Sequence, residues 1–390
     1  MEGPNAGEVL QAGQAALAMM TPEKRKQAIE QALAKATPEE RAMFEKQQAA
    51  IRKQVERASP EERQQMAEQQ VIMLNCGAFA QRLAPDKEVH DKPLTTVDVL
   101  AAMAECPAFA SLTEAIKTAP PEKQKEVVMT FINMEKALLQ HAIEVDATAL
   151  RDLKIKADKK RPLLLLLWNL YRHKQGCDAV ELDENTNQYF FATKRLATTL
   201  LMHAQPLVAQ QRWVQQILAV SRVSALLVNE LWSHDDEKCL EKMRAILAPD
   251  GPEKGMPFPE LSIKARTSDV TSGQKMAVLV ELVREHAGKG VVTPDVADTE
   301  ANPQGILEGY WLYLERVTEE GKPNVLIAAQ PLSCKDLATR ALKAKLEFEA
   351  PKEAGDYHLS IHISSTSVVG CDTSTPLTFT VEADDCPSLE

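Results

Sequence analysis

Two histidines four positions apart, His358 and His362 in "DYHLSIHI" (356–363), are the first side chains here with the type and spacing for metal or acid–base chemistry. A second candidate is "WSHDDEKCLEK" (232–242), which gathers His234, Asp235, Asp236, Glu237 and Cys239. On a helix, an i, i+4 histidine pair faces one ligand. On a strand the same residues lie about 13 Å apart, whereas two ligands of one zinc each sit about 2 Å from it. Tyr357, Leu359, Ile361 and Ile363 alternate with His358, Ser360 and His362, so the stretch predicts a strand with its histidines outward. The acidic run at 232–242 follows a long apolar helix and reads as a solvated turn or the start of the next helix. The remaining histidines (90, 141, 173, 203 and 286) stand alone in the sequence. Phosphate-binding glycine loops, H-E-x-x-H and G-x-S-x-G are absent. The expectation is no catalytic residue, no cofactor, no metal and no small-molecule substrate, and so a non-enzymatic protein.

The seven cysteines (76, 106, 177, 239, 334, 371 and 386) are odd in number and contain no C-x-x-C. They read as free, mostly buried thiols in a reducing compartment. A formal net charge of −11 over 390 residues argues against nucleic acid as a partner. The most apolar run, "RPLLLLLWNLY" (161–171), is too short for a membrane span, which needs about 20 apolar residues. It reads as a buried helix in a soluble chain, and the first residues show no signal-peptide pattern.

The elements that must position these side chains fall into three regions. Residues 1–75 repeat "TPEKR" (21), "TPEER" (37) and "SPEER" (59), each a helix start with a hydroxyl cap, a proline and acidic residues. Thr37…Glu40 and Ser59…Glu62 have capping-box spacing. This predicts a charged helical extension. Residues 76–247 carry apolar residues at helical spacing and predict a helical bundle, with Trp168, Trp213 and Trp232 in helix contacts. "APDGPEKGMPFPE" (248–260) marks a boundary. Beyond it, "ELSIKAR", "KMAVLVELV", "GYWLYLERV", "NVLIAA", "LKAKLEFEA", "YHLSIHI" and "LTFTVEA" predict seven strands. The fold expected is multidomain α+β, ending in an immunoglobulin-like or fibronectin-III-like β-sandwich over 258–384, with an acidic loop insertion at about 286–306. Tyr357 stands where such folds place a tyrosine corner.

Several stretches resemble the C-terminal module of the Sec sixty-three family, endoplasmic-reticulum J-proteins that assist protein translocation. "KKRPLLLLLWNLYRH" (159–173) and "AVSRVSALLVNELWSHDD" (219–236) are similar to its helices, and "NCGAFAQRLAPDKEV" (75–89) to its segment leaving the membrane. "EGYWLYLER" (308–316) resembles its E-x-W-W-V-x-L strand, with Trp311 matching one tryptophan and Tyr310 replacing the other. Within "EFEAPKEAGDYHLSIHISSTSVVGCD" (347–372), Phe348, Ala350, Pro351, Gly355, Tyr357, Ser365, Ser367, Gly370 and Asp372 match its F-x-A-P-x-x-P-G-x-Y and S-D-S-Y-L-G-x-D pattern. Ala354 and Val368 depart from it, and no histidine precedes proline, so the J-domain signature is missing. The resemblance implies a scaffold of the translocation machinery, docked on Sec channel subunits at the cytosolic face of the endoplasmic reticulum. The related bundle-plus-sandwich module of Ski-two-like spliceosomal RNA helicases implies the alternative, an interaction cassette in a helicase assembly. Loops around 317–324 and 365–376 are the expected contact points.

Overall fold

The computed structural model describes residues 46, 59–83, 94–109, 120–141, 157–172, 176–209, 214–231, 236–248, 258–267, 270–287, 308–318, 324–334 and 338–383. The described helices are α1 (Pro60–Leu83), α2 (Thr96–Ala104), α3 (Pro121–His141), α4 (Ala157–Tyr171), α5 (Glu184–Ala209), α6 (Val214–Val228) and α7 (Asp236–Leu247). The strands are β1 (Leu261–Arg266), β2 (Val270–Thr271), β3 (Lys275–Arg284), β4 (Gly309–Arg316), β5 (Val325–Ser333), β6 (Ala341–Glu349), β7 (Gly355–Ser365) and β8 (Thr373–Glu382). Helices followed by sheets make the chain α+β. The caps at Thr21 and Thr37, together with Trp213, Trp232, His234, Asp235 and the 288–307 loop, lie outside the described residues.

The Ser59 cap forms as its spacing predicts. Glu62 N–H donates to Ser59 Oγ at 3.2 Å, and Ser59 N–H donates to Glu62 Oε2 at 2.7 Å. The helix it starts runs straight through position 75, where the extension was expected to give way to the bundle. Its second half buries Cys76, Phe79, Ala80 and Leu83. The leucine-rich stretch is buried all round, from Leu163 through Tyr171, because α4 packs against α2, α3, α5 and α6. Each of its leucines contributes roughly 2 kcal/mol of transfer free energy.

Glu230, just past α6, joins three helices. Its Oε2 accepts from Arg172 Nε at 2.8 Å and Nη2 at 2.6 Å, and its Oε1 from Lys194 Nζ at 2.5 Å. Burial pushes this carboxyl's pKa up, but the bonds and charges of Lys194 and Arg172 prevail, leaving it below its ordinary value. Glu230 holds φ 51°, an uncommon conformation for a residue with a side chain, and the two cations pin it there.

The strands form two sheets, one ordered β1-β3-β6 and one ordered β2-β8-β7-β4-β5. All neighbours are antiparallel except β2 and β8. The seven segments expected as strands are strands, and Val270–Thr271 adds a short eighth. Side chains of the two sheets meet at Phe348 and Phe379, whose ring centroids are 6.4 Å apart. Val278, Val280, Leu282, Leu312, Leu314, Ile361 and Ile363 fill the space between.

Replacing Glu230 with Gln leaves two largely desolvated cations without their counter-charge. The expected cost is about 3 kcal/mol, measured as a lowered urea midpoint. An unchanged midpoint would show that the triad contributes no net stability.

Candidate functional site

Near-continuous hydrophobicity in "GYWLYLER" has a structural cause: β4 is covered on both faces. Tyr310, Leu312 and Leu314 are buried on one side, and Tyr313 and Glu315 on the other. The second side lies against the helices. Tyr313 Oη is 2.9 Å from Ser221 Oγ on α6, Gln205 Nε2 donates to Ser221 Oγ at 3.2 Å, and Tyr313 donates to Gln205 Oε1 at 3.4 Å. If Ser221 donates to Tyr313, the three groups close a ring in which each gives and receives one bond. All three residues are at most 1% exposed, so this satisfaction matters. Burial raises the Tyr313 pKa well above its ordinary value, keeping the phenol a donor. Trp311 stacks on Tyr313 with centroids 6.1 Å apart and planes 6° from parallel.

The turn between β7 and β8 completes this seam. Asp372 Oδ1 accepts from Ser365 N–H at 2.9 Å, and Asp372 Oδ2 from Ser364 Oγ at 3.1 Å. Ser365 Oγ accepts from the Ser367 and Val368 amides at 3.2 and 3.0 Å. The shaped turn presents Ser367 O to Asn229 Nδ2 at 2.6 Å. Gly370, at φ +85°, approaches α7 so closely that a Cβ would lie 2.2 Å from Leu240 Cδ2. The matched residues Ser365, Ser367, Gly370 and Asp372 thus serve an internal joint. Within the 365–376 stretch expected to meet a partner, Ser367 bonds Asn229 and Gly370 packs against α7. Beside it a crevice of about 300 Å³ is lined by Arg222, Leu240, Val368 and Asp372.

A buried charged cluster sits at the start of β4, beside the same turn. Glu308 Oε1 accepts from Arg284 Nε at 3.0 Å, from His286 Nε2 at 2.8 Å and from Tyr310 Oη, while its Oε2 accepts from Arg284 Nη2. Arg284 Nη1 donates to Thr339 O at 2.5 Å. The side chains of Arg284 and Glu308 are 0% exposed. Burial pushes the Glu308 pKa up, but the bonds from His286, Arg284 and Tyr310 outweigh it and hold it at about 2. An ionised carboxylate only accepts, so His286 Nε2 must carry a proton. Sealed from solvent, the cluster ties the end of β3 to the start of β4. Reading His286 as isolated missed it, because its carboxylate partner Glu308 lies 22 positions away, hidden at the head of the strand "EGYW". The one local signal was an acid two residues before an inward tyrosine.

Of the side chains first suspected of chemistry, His358 is exposed. His362 is half-buried because its outward face is turned toward the helices, and its Nε2 lies 2.8 Å from Glu315 Oε2. Among the described residues, no group of three His, Cys, Asp or Glu side chains is arranged to hold a metal. Cys76, Cys106, Cys177 and Cys371 are buried, and Cys334 is partly exposed. Burial pushes the pKa of both Cys76 and Cys371 up to about 12, so they stay protonated. No described helix is long and apolar enough to cross a membrane.

The unit assembled around the seam is matched by a family model: residues 190–378, from within α5 to within β8, match the Sec63 Brl domain. The chain is 31% identical over 124 residues to the DExH-box ATP-dependent RNA helicase DExH13 of Arabidopsis thaliana, a match covering 32% of this chain and 5% of that protein. It is also 31% identical over 106 residues to DExH12 of the same plant, covering 27% of this chain and 4% of the helicase. The chain therefore spans a small part of these relatives' length. Among solved structures, a beta-glucosidase from Listeria innocua aligns over 33% of this chain and 17% of its own at 15% identity, with a TM-score of 0.18. That likeness carries no argument.

Because Glu308 is held at about 2, against an ordinary 4.5, it stabilises the fold above about pH 4.5 and loses that contribution as pH falls toward 2. The effect amounts to about 3 kcal/mol. Glu308→Gln should lower stability at pH 7 and flatten the acid limb of the stability–pH curve. Equal acid limbs in the two proteins would contradict this role.

Proposed function

We propose that the chain is a non-enzymatic interaction module that works within an RNA-helicase assembly. The observation that carries this reading is the span of the Brl domain. Its 190–378 segment coincides with the unit in which α5, α6 and both sheets are locked together, and the two relatives reported are DExH-box RNA helicases. The expectation of docking on the Sec channel at the endoplasmic reticulum rested on the same module. The relatives reported above favour the helicase alternative over it.

The module is read as an immunoglobulin-like sandwich. Supporting this are the strand orders β1-β3-β6 and β2-β8-β7-β4-β5, and the bond from Tyr357 Oη to Glu353 O at 2.9 Å, which has the form of a tyrosine corner. The polar groups most deeply placed (Glu308, Arg284, Tyr313, Ser221) are sealed and mutually bonded, which suits rigidity rather than turnover. A stiff body of this kind presents its remaining surfaces to partners at a fixed angle.

Affinity purification of the tagged full chain from cell extract, with mass spectrometry of what is retained, tests the proposal. A DExH-box helicase enriched over Sec channel subunits is the expected result. Enrichment of channel subunits without a helicase would restore the translocation reading.

A further inference from the structure

The two sheets differ in what covers their outer faces. α6 packs against β7 on the five-stranded sheet, with Ser221 on Tyr313 of β4. The outer face of the three-stranded sheet meets no described helix through any comparable bond, and its composition is unlike the rest of the chain. Strand register places Lys264, Glu281 and Lys343 in one row across the sheet, and Arg266, Leu279 and Lys345 in the next. Four cations thus surround one carboxylate and one leucine in a protein whose net charge is −11. Lys264, Arg266, Lys343 and Lys345 are exposed, and Leu279 at their centre is 39% exposed while its neighbours Val278 and Val280 are buried.

Part of this positive charge is neutralised from within. Lys345 pairs with Glu347 at 2.5 Å, and Lys343 reaches Glu281 only at 4.0 Å. Lys264 and Arg266 have no ion pair within 4 Å among the described residues. The face is also concave. One groove of about 360 Å³ runs past Lys264, Glu281 and Lys343, another of about 470 Å³ past Lys275 and Lys345, and both are lined by Arg266 and Leu279.

We infer that this trough binds an extended acidic segment of a partner protein, carrying an apolar residue between carboxylates. Arg266 and Lys345 flank Leu279 at one strand spacing on each side, roughly 10 Å apart. Side chains of an extended chain face one side at every second residue, about 6.8 Å apart. An acidic-x-apolar-x-acidic segment laid across the strands would therefore set its apolar side chain on Leu279 and its two carboxylates, about 13 Å apart, within reach of the long Arg266 and Lys345 side chains. Nucleic acid suits the trough less well. Its rows hold no aromatic side chain to stack a base. The trough is separate from the seam, and the inference holds whether or not the partner assembly contains a helicase.

Fluorescence anisotropy with the full chain tests it. The probes are a labelled Glu/Asp-rich peptide with one central Leu, a Gly/Ser peptide of equal length, and a single-stranded oligouridine. The acidic peptide should bind in preference to both others and weaken as salt rises. Arg266→Glu with Lys345→Glu should weaken it by about tenfold or more, equivalent to about 1.4 kcal/mol. Leu279→Ser should weaken it several-fold, and Arg340→Glu, outside the trough, should leave it unchanged. Circular dichroism confirms that each variant is folded, and Lys264→Gln with Lys343→Gln replaces the reversal pair should that fail to fold. Absence of preferential acidic-peptide binding, or binding insensitive to these changes, would overturn the inference. So would tighter binding of oligouridine lost in the same variants, which would give the trough to nucleic acid.

Discussion

The outer face of a sheet is ordinarily the solvated one, and here that freedom is given up on one sheet. Tyr313 on β4 is desolvated beneath α6, so its hydroxyl must find partners inside the protein, and Ser221 and Gln205 supply them. Once this ring of bonds forms, the angle between helices and strands is no longer adjustable. Asn229 and Gly370 close the same joint from the β7–β8 turn. A matched domain that runs from α5 to β8 follows from this, since neither layer buries its contact face alone.

Two charged clusters brace the assembly from either side of the joint. Glu230 gathers the ends of α4 and α6 with Lys194 of α5, and Glu308 gathers β3 and β4. Desolvating a carboxylate costs several kcal/mol, offset only when its acceptor sites are filled. Each oxygen of both carboxylates receives at least one charged donor. Hydrophobic contacts alone tolerate sliding; these bonds require one register. Rigidity of that kind is what a docking body needs, and the surface left open on the three-stranded sheet is where its chemistry changes most sharply.

Much of the fold was legible because it is periodic. Alternation in "KMAVLVELV" and "LKAKLEFEA" located strands, the leucine run located α4, and Ser59…Glu62 marked a helix start. Contacts between distant segments have no period. Ser221 meets Tyr313 across 92 positions and Asn229 meets Ser367 across 138, so the joint could not be read from either local pattern. The turn after β7 carries small polar residues whose local pattern does not say where they bond; Ser365 and Asp372 spend their polarity on shaping the turn. His362 alternates outward as expected, yet outward at that point means toward α6 and Glu315, a consequence of layering that strand periodicity does not encode. The excess of apolar residues in "GYWLYLER" was the one hint that both faces were covered.

Hydrogen exchange by mass spectrometry tests the joint most directly. If α6 and the sheet it covers are one cooperative unit, amides in 214–228 and in 309–316 should open with a common free energy and denaturant dependence. Gly370→Ala, strained by its positive φ, should then speed exchange in both segments together. Protection in β4 that persists while α6 exchanges independently would contradict the account.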